Sequence, residues 1–114
     1  MLALEAHVLR AVLACLVIAG CATDYSSGID PASVTCPPDS TLTYENFGEA
    51  LITENCLSCH TSKERPTLTT QQAIQTNRQA ILKESVTSTR MPEGTSMLLE
   101  ERELLGEWIA CGAP

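Results

Sequence analysis

A chain of 114 residues holds one small domain at most once any processed segment is removed. Its formal net charge of −7 argues against nucleic acid, which needs a basic footprint, and suits either simple solubility or a partner with a positive docking face. One Trp, one Phe and two Tyr are few for a core of this size, so a covalent staple or a buried cofactor is expected.

The chain opens on an apolar run, Ala11 to Ala19, long enough for the h-region of a signal peptide and too short to span a bilayer. It leads into Val17-Ile-Ala-Gly-Cys21, where small residues precede a cysteine, and this resembles the lipobox of bacterial lipoproteins. The resemblance implies cleavage before Cys21 and lipidation of its thiol, which would anchor the protein to a membrane on the periplasmic side. Ile18 stands where leucine is commoner, and Arg10, offset by Glu5, is the one firm cation of the leader. A plain secretory signal cut nearby and a misassigned start are the alternatives. The expected compartment is an exported one, which tolerates disulfides and covalent haem.

Residues 21–37 are polar, contain Gly and Pro, and show no apolar period, so they read as a flexible tether that leads to a folded domain over 38–114. A coil of that kind reaches about 20 Å root-mean-square. Pro37 and Pro38 mark the start of the folded part. From about Thr43 to Asn55, Tyr44, Phe47, Leu51 and Ile52 recur at helical spacing and predict a first helix. Thr69 and Gln72 have the form of a capping box, predicting a second helix through Ser85 with Ile74, Arg78, Ile81 and Ser85 along one side. Pro92 and Gly94 break it. A third helix is expected from Ser96 or Met97 to Cys111, with glutamates in its first turns and a narrow face of Glu101, Leu104, Leu105, Trp108 and Ile109. No segment reads as a strand, so the fold class is all-α with three main helices.

The first helix delivers Cys56-Leu-Ser-Cys59-His60, the Cys-x-x-Cys-His pattern of c-type haem attachment. Two thiols about one helical turn apart can form thioethers with two vinyl groups of a porphyrin, and the next residue's imidazole can reach the iron. The haem would also supply the apolar body that this aromatic-poor chain lacks. Two other chemistries compete. A thioredoxin-like pair belongs near a βαβ unit with its thiol at a helix N-terminus, whereas these cysteines end a helix. A structural zinc site needs four ligands in two pairs, and Cys36 and Cys111 are not so paired.

With His7 lost in the leader, His60 is the one histidine left, which excludes bis-histidine ligation within one chain. A sixth ligand must then be Met, Lys, water or a terminal group. Met91, followed by Pro92 on a loop that also contains Gly94, suits a thioether held by a rigid turn, and Met97 is the rival at the start of the last helix.

From Tyr44 to Pro114 the sequence resembles the small mono-haem class I cytochromes c. In that family a helix carrying an aromatic residue precedes the haem motif and a C-terminal helix with its own aromatic crosses it, and Phe47 and Trp108 match those positions. Pro66-Thr67-Leu68 is similar to the family's Pro-x-Leu segment, whose carbonyl accepts from the ligand histidine and whose leucine covers the ring. The resemblance implies a cytochrome c-like fold around one haem c, with His60 and Met91 as axial ligands and Pro66 and Leu68 in its pocket. If the first and last helices cross as in that family, Cys36 and Cys111 could be brought together as a disulfide; two free thiols, or a Cys36 paired outside the chain, are the alternatives.

The function so implied is not catalysis but carriage of single electrons between redox protein partners, with no nucleic acid involved. A haem sensor or an oxidase or dehydrogenase subunit with an open sixth position is the runner-up. A haem-free exported protein with a Cys-x-x-Cys disulfide is the third reading.

Overall fold

The computed structural model describes residues 27–114, and every regular element within them is helical. The expected signal segment 1–20, the Cys21 lipidation site and the first part of the tether lie outside the described residues. A 3-10 turn at Pro31–Ser33 comes first. A π-helical stretch, Tyr44–Gly48, then runs straight into helix α1 (Glu49–Asn55). Helices α2 (Gln71–Thr76) and α3 (Arg78–Ile81) continue into a second π-helical stretch, Leu82–Val86, and α4 (Leu99–Ala110) closes the chain.

Each start has a local cause. Thr43 and Asn46 form a reciprocal capping box: Thr43 Oγ1 accepts from the Asn46 amide at 3.1 Å and Asn46 Oδ1 accepts from the Thr43 amide at 2.8 Å. The second helix is capped by Thr70 rather than Thr69. Thr70 is extended, and its Oγ1 accepts from the Ala73 amide at 3.1 Å. Ala73 has nothing to reach back with, so the expected box is only half made, one residue late.

The second helix is also not continuous. Asn77 turns its side-chain amide onto Ala73 O at 2.7 Å and sits at φ −99°, ψ 13°, dividing α2 from α3. The last helix begins at Leu99, later than expected, because Met97 is fully buried in the core and Leu98 is still extended. Glu101 nevertheless caps it, its carboxylate accepting from the Leu98 amide at 3.0 Å. At the far end Gly112 takes φ 92°, and the Ala113 amide returns to Trp108 O at 2.9 Å.

The core joins Leu51 and Ile52 of α1 to Ile74, Ile81, Val86, Met97, Leu105, Trp108 and Ile109. Trp108, with no exposure, is its largest member. Gly48 makes room for it: a Cβ there would overlap the indole ring. Phe47 meets the same ring edge-on, with centroids 6.0 Å apart and planes at 74°. The indole Nε1 donates to Pro114 O at 3.2 Å, and that carbonyl also accepts from the Tyr44 amide at 2.6 Å. The start of the first helix and the end of the last are thus in contact. Cys36 and Cys111 are joined there by a disulfide, Cα to Cα 4.8 Å, across 75 residues.

The segment 27–37, read from sequence as tether, lies against the helices. The Ile29 amide donates to Val86 O at 2.8 Å, and Gly28 lets the chain pass directly over the Thr87 carbonyl. Ile29 and Val34 pack against the core, and Asp30 caps the 3-10 turn through the Ala32 amide at 2.9 Å. Two isolated apolar residues in a polar run have no period, so this strap carried no signal in the pattern.

Candidate functional site

The cysteine motif occupies the turn that ends α1. The Cys56 amide still bonds to Ile52 O at 2.8 Å, but the chain then tightens: Cys59 and His60 amides both point to Cys56 O, at 3.3 and 2.9 Å. This coil brings both sulfur-bearing residues and the imidazole to one side. Both thiols are free and half-buried. Burial pushes the Cys56 thiol up from 9.0 to about 11, so it is held as a neutral, poorly nucleophilic group at physiological pH.

His60 is fixed by the loop that follows. Its Nδ1 lies 2.8 Å from Pro66 O, and the Leu68 amide returns to His60 O at 2.8 Å. A carbonyl can only accept, so Nδ1 carries the hydrogen, and in the neutral ring the lone pair sits on Nε2. The seven residues from His60 to Pro66 are therefore enough to close the loop. Leu68 is buried, 5% exposed, beneath it.

Cys56, Cys59, His60, Pro66, Leu68 and Met91 all line one cleft of about 220 Å³. Ala80 and Ile81 of the second helical region form part of its wall, so the lining is largely apolar, with Glu64, Glu84 and Glu93 among its charged residues. Two segments about thirty residues apart, the motif at 56–60 and the loop at Met91, therefore bring two thiols, one imidazole and one thioether to a common space. Met91 reaches it from the loop after the second π-helical stretch, where its amide donates to Glu84 O at 2.9 Å. Met97, the rival, is fully buried in the core and is not among the residues that line the cleft.

One residue escaped the sequence reading. Arg102 of α4 is 2% exposed, and its Nη1 donates to the carbonyls of Ser85, Ser88 and Met91, the last two at 3.1 and 3.2 Å. Burial lowers its pKa, yet three carbonyl dipoles surround a group that keeps its charge under all ordinary conditions. The signal was its spacing: Arg102 stands three and four residues before Leu105 and Gly106, and with them it joins Trp108 and Ile109 on the buried face, where the expected stripe had Glu101 and Leu104 beside Leu105, Trp108 and Ile109.

Comparison of this chain with protein-family models, with curated proteins and with solved structures finds no match.

Proposed function

We propose that this chain is an exported, lipid-anchored mono-haem c-type cytochrome of cytochrome c-like fold that carries single electrons between redox proteins. The observation that carries the reading is the meeting of Cys56, Cys59, His60 and Met91 in one largely apolar cleft. Their chemistry fits the group: two free thiols for thioether bonds, an imidazole whose hydrogen is held on Nδ1, and a soft sulfur. Haem bound there would supply a one-electron Fe(III)/Fe(II) couple, its potential raised by His and Met ligation.

The protein's own residues have distinct tasks in this reading. Cys56 and Cys59 hold the group covalently. Pro66 O fixes the orientation of the His60 ring and strengthens Nε2 as a donor. Leu68 and Ile81 would exclude water from the cleft, and Met91 would offer the group a soft sulfur ligand, which disfavours chemistry on oxygen or peroxide. The acidic surface suits a donor or acceptor with a basic docking face.

The zinc reading loses its second pair, because Cys36 and Cys111 are bonded to each other. A disulfide oxidoreductase needs a thiol of lowered pKa, and Cys56 is shifted the other way.

The test is a haem stain of the denatured, membrane-extracted protein followed by an absorption spectrum of the oxidised native form. Covalent haem and the weak sulfur-to-iron charge-transfer band at the red end of the spectrum are expected. A chain matured in a host that makes c-type cytochromes and yet free of covalent haem would sink the proposal. Fatty-acid labelling lost in Cys21→Ser tests the anchor.

A further inference from the structure

Arg102 is a buried cation with no carboxylate partner among the described residues, whose one ion pair joins Arg90 to Glu84 at 2.8 Å. Taking a guanidinium out of water is costly unless polar groups replace the solvent. Here those groups are three main-chain carbonyls from a single stretch, Ser85, Ser88 and Met91, all reached by Nη1. A methionine or leucine would fill similar space on α4 without that cost. What only the cation can do is gather the carbonyls of the segment that leads from the second π-helical stretch to Met91. Its Nε has no hydrogen-bond partner, so the side chain is placed for that segment alone.

The grip is two-sided at Met91. Arg102 holds its carbonyl and Glu84 O holds its amide, so the main chain is fixed on both sides of the side chain that lines the cleft. α4 is in turn anchored by Leu105, Trp108 and Ile109 in the core. A rigid helix thus reaches across to the loop through one side chain.

We propose that Arg102 is the positioning residue for Met91, and so sets how readily the sixth position of the haem iron is surrendered to an outside ligand. This rests on the c-type cytochrome reading given above. It assigns Arg102 an effect on ligand exchange beyond any effect on folding, since hydrogen bonds to a charged donor are the stronger kind and all of them converge on the stretch from Ser85 to Met91.

The test compares four holoproteins: the natural chain, Arg102→Met, Met91→Ala and the double variant. Imidazole is titrated into the oxidised form, and the sulfur-to-iron band is recorded. Arg102→Met is expected to weaken the band and to raise imidazole affinity about tenfold or more, because the thioether competes less well once its loop is released. In the Met91→Ala background the same change is expected to leave imidazole affinity unaltered, a result that general loosening of the fold would not produce. Unchanged affinity and band in Arg102→Met would overturn the inference alone, as would an equal rise in both backgrounds. A natural holoprotein with covalent haem but no band removes Met91 ligation and this role together, and a chain with no covalent haem removes the whole reading. Should Arg102→Met fail to yield folded holoprotein, Arg102→Lys is read by the same criteria, with a smaller rise expected because the cation stays and the planar fork is lost.

Discussion

At the scale of the residue, the polar groups of the cleft are placed by carbonyls. Pro66 O orients His60, Glu84 O holds Met91 and Cys56 O receives the turn of the motif. Cys56 shows what burial does to a thiol. Its thiol loses a proton at about 11 instead of 9.0, so in the haem-free chain alkylation of Cys56 is expected to be slow at neutral pH and to quicken about tenfold per unit as pH rises toward 11. Mass spectrometry of iodoacetamide-treated apoprotein reads this directly.

The same shift has a stability consequence with a fixed sign. The folded chain keeps the proton over a window in which the unfolded chain has lost it. Below 9.0 both states are protonated and nothing changes; between 9.0 and about 11 the haem-free fold loses up to about 1.4 kcal/mol per unit as pH rises. Holoprotein, whose sulfur would carry no proton, is expected to lack this step. Urea unfolding of both forms across that range distinguishes them.

At the scale of the element, the first helical stretch keeps its expected span from Tyr44 to Asn55, whereas the second and the last are shorter or more interrupted than their periodicity suggests, and particular residues explain why. Asn77 spends its side chain on Ala73 O and divides the second helix; Met97, counted as a helical start, is drawn wholly inside. Periodicity reports which face is apolar, and it was sound for Ile74, Ile81, Leu105 and Trp108. It cannot report an asparagine that bonds its own backbone, and although spacing places Arg102 toward the buried side of its helix, the carbonyls it meets leave no trace in the sequence. The motif, by contrast, was legible because its chemistry depends on consecutive residues, and His60 to Leu68 closes on itself without help from distant segments.

Helix crossing supplies the element-scale prediction. Replacing Gly48 by alanine improves helix propensity by about 1 kcal/mol, but the new Cβ would overlap the ring of Trp108, and overpacking of this kind costs about 1–3 kcal/mol. Because the indole is fully buried and is held by Pro114 O on one side and Phe47 on another, it has little freedom to retreat. The clash should win, and Gly48→Ala is expected to lower the denaturation midpoint rather than raise it.

At the scale of the molecule, a chain of 114 residues with four aromatic residues needs help, and the described residues contain one covalent staple. The Cys36–Cys111 bond closes a loop of 75 residues, worth roughly 4 kcal/mol in the chain-entropy account. Reduction is expected to lower stability by up to that amount. If the thioethers form as proposed they resist the same reductant, so haem should stay attached while the unfolding midpoint falls.

The disulfide also decides how far the protein can be peeled. Before Cys36 the strap is held by one main-chain hydrogen bond, from Ile29 to Val86, and by two apolar side chains. A pull on the chain ahead of this strap, or a protease working inward along it, meets little resistance until the crosslink, where the load passes to α4 and its buried tryptophan. The bond is in this sense a stop: the chain can fray up to it many times without disturbing the cleft, and trimming of the oxidised protein should halt near Cys36.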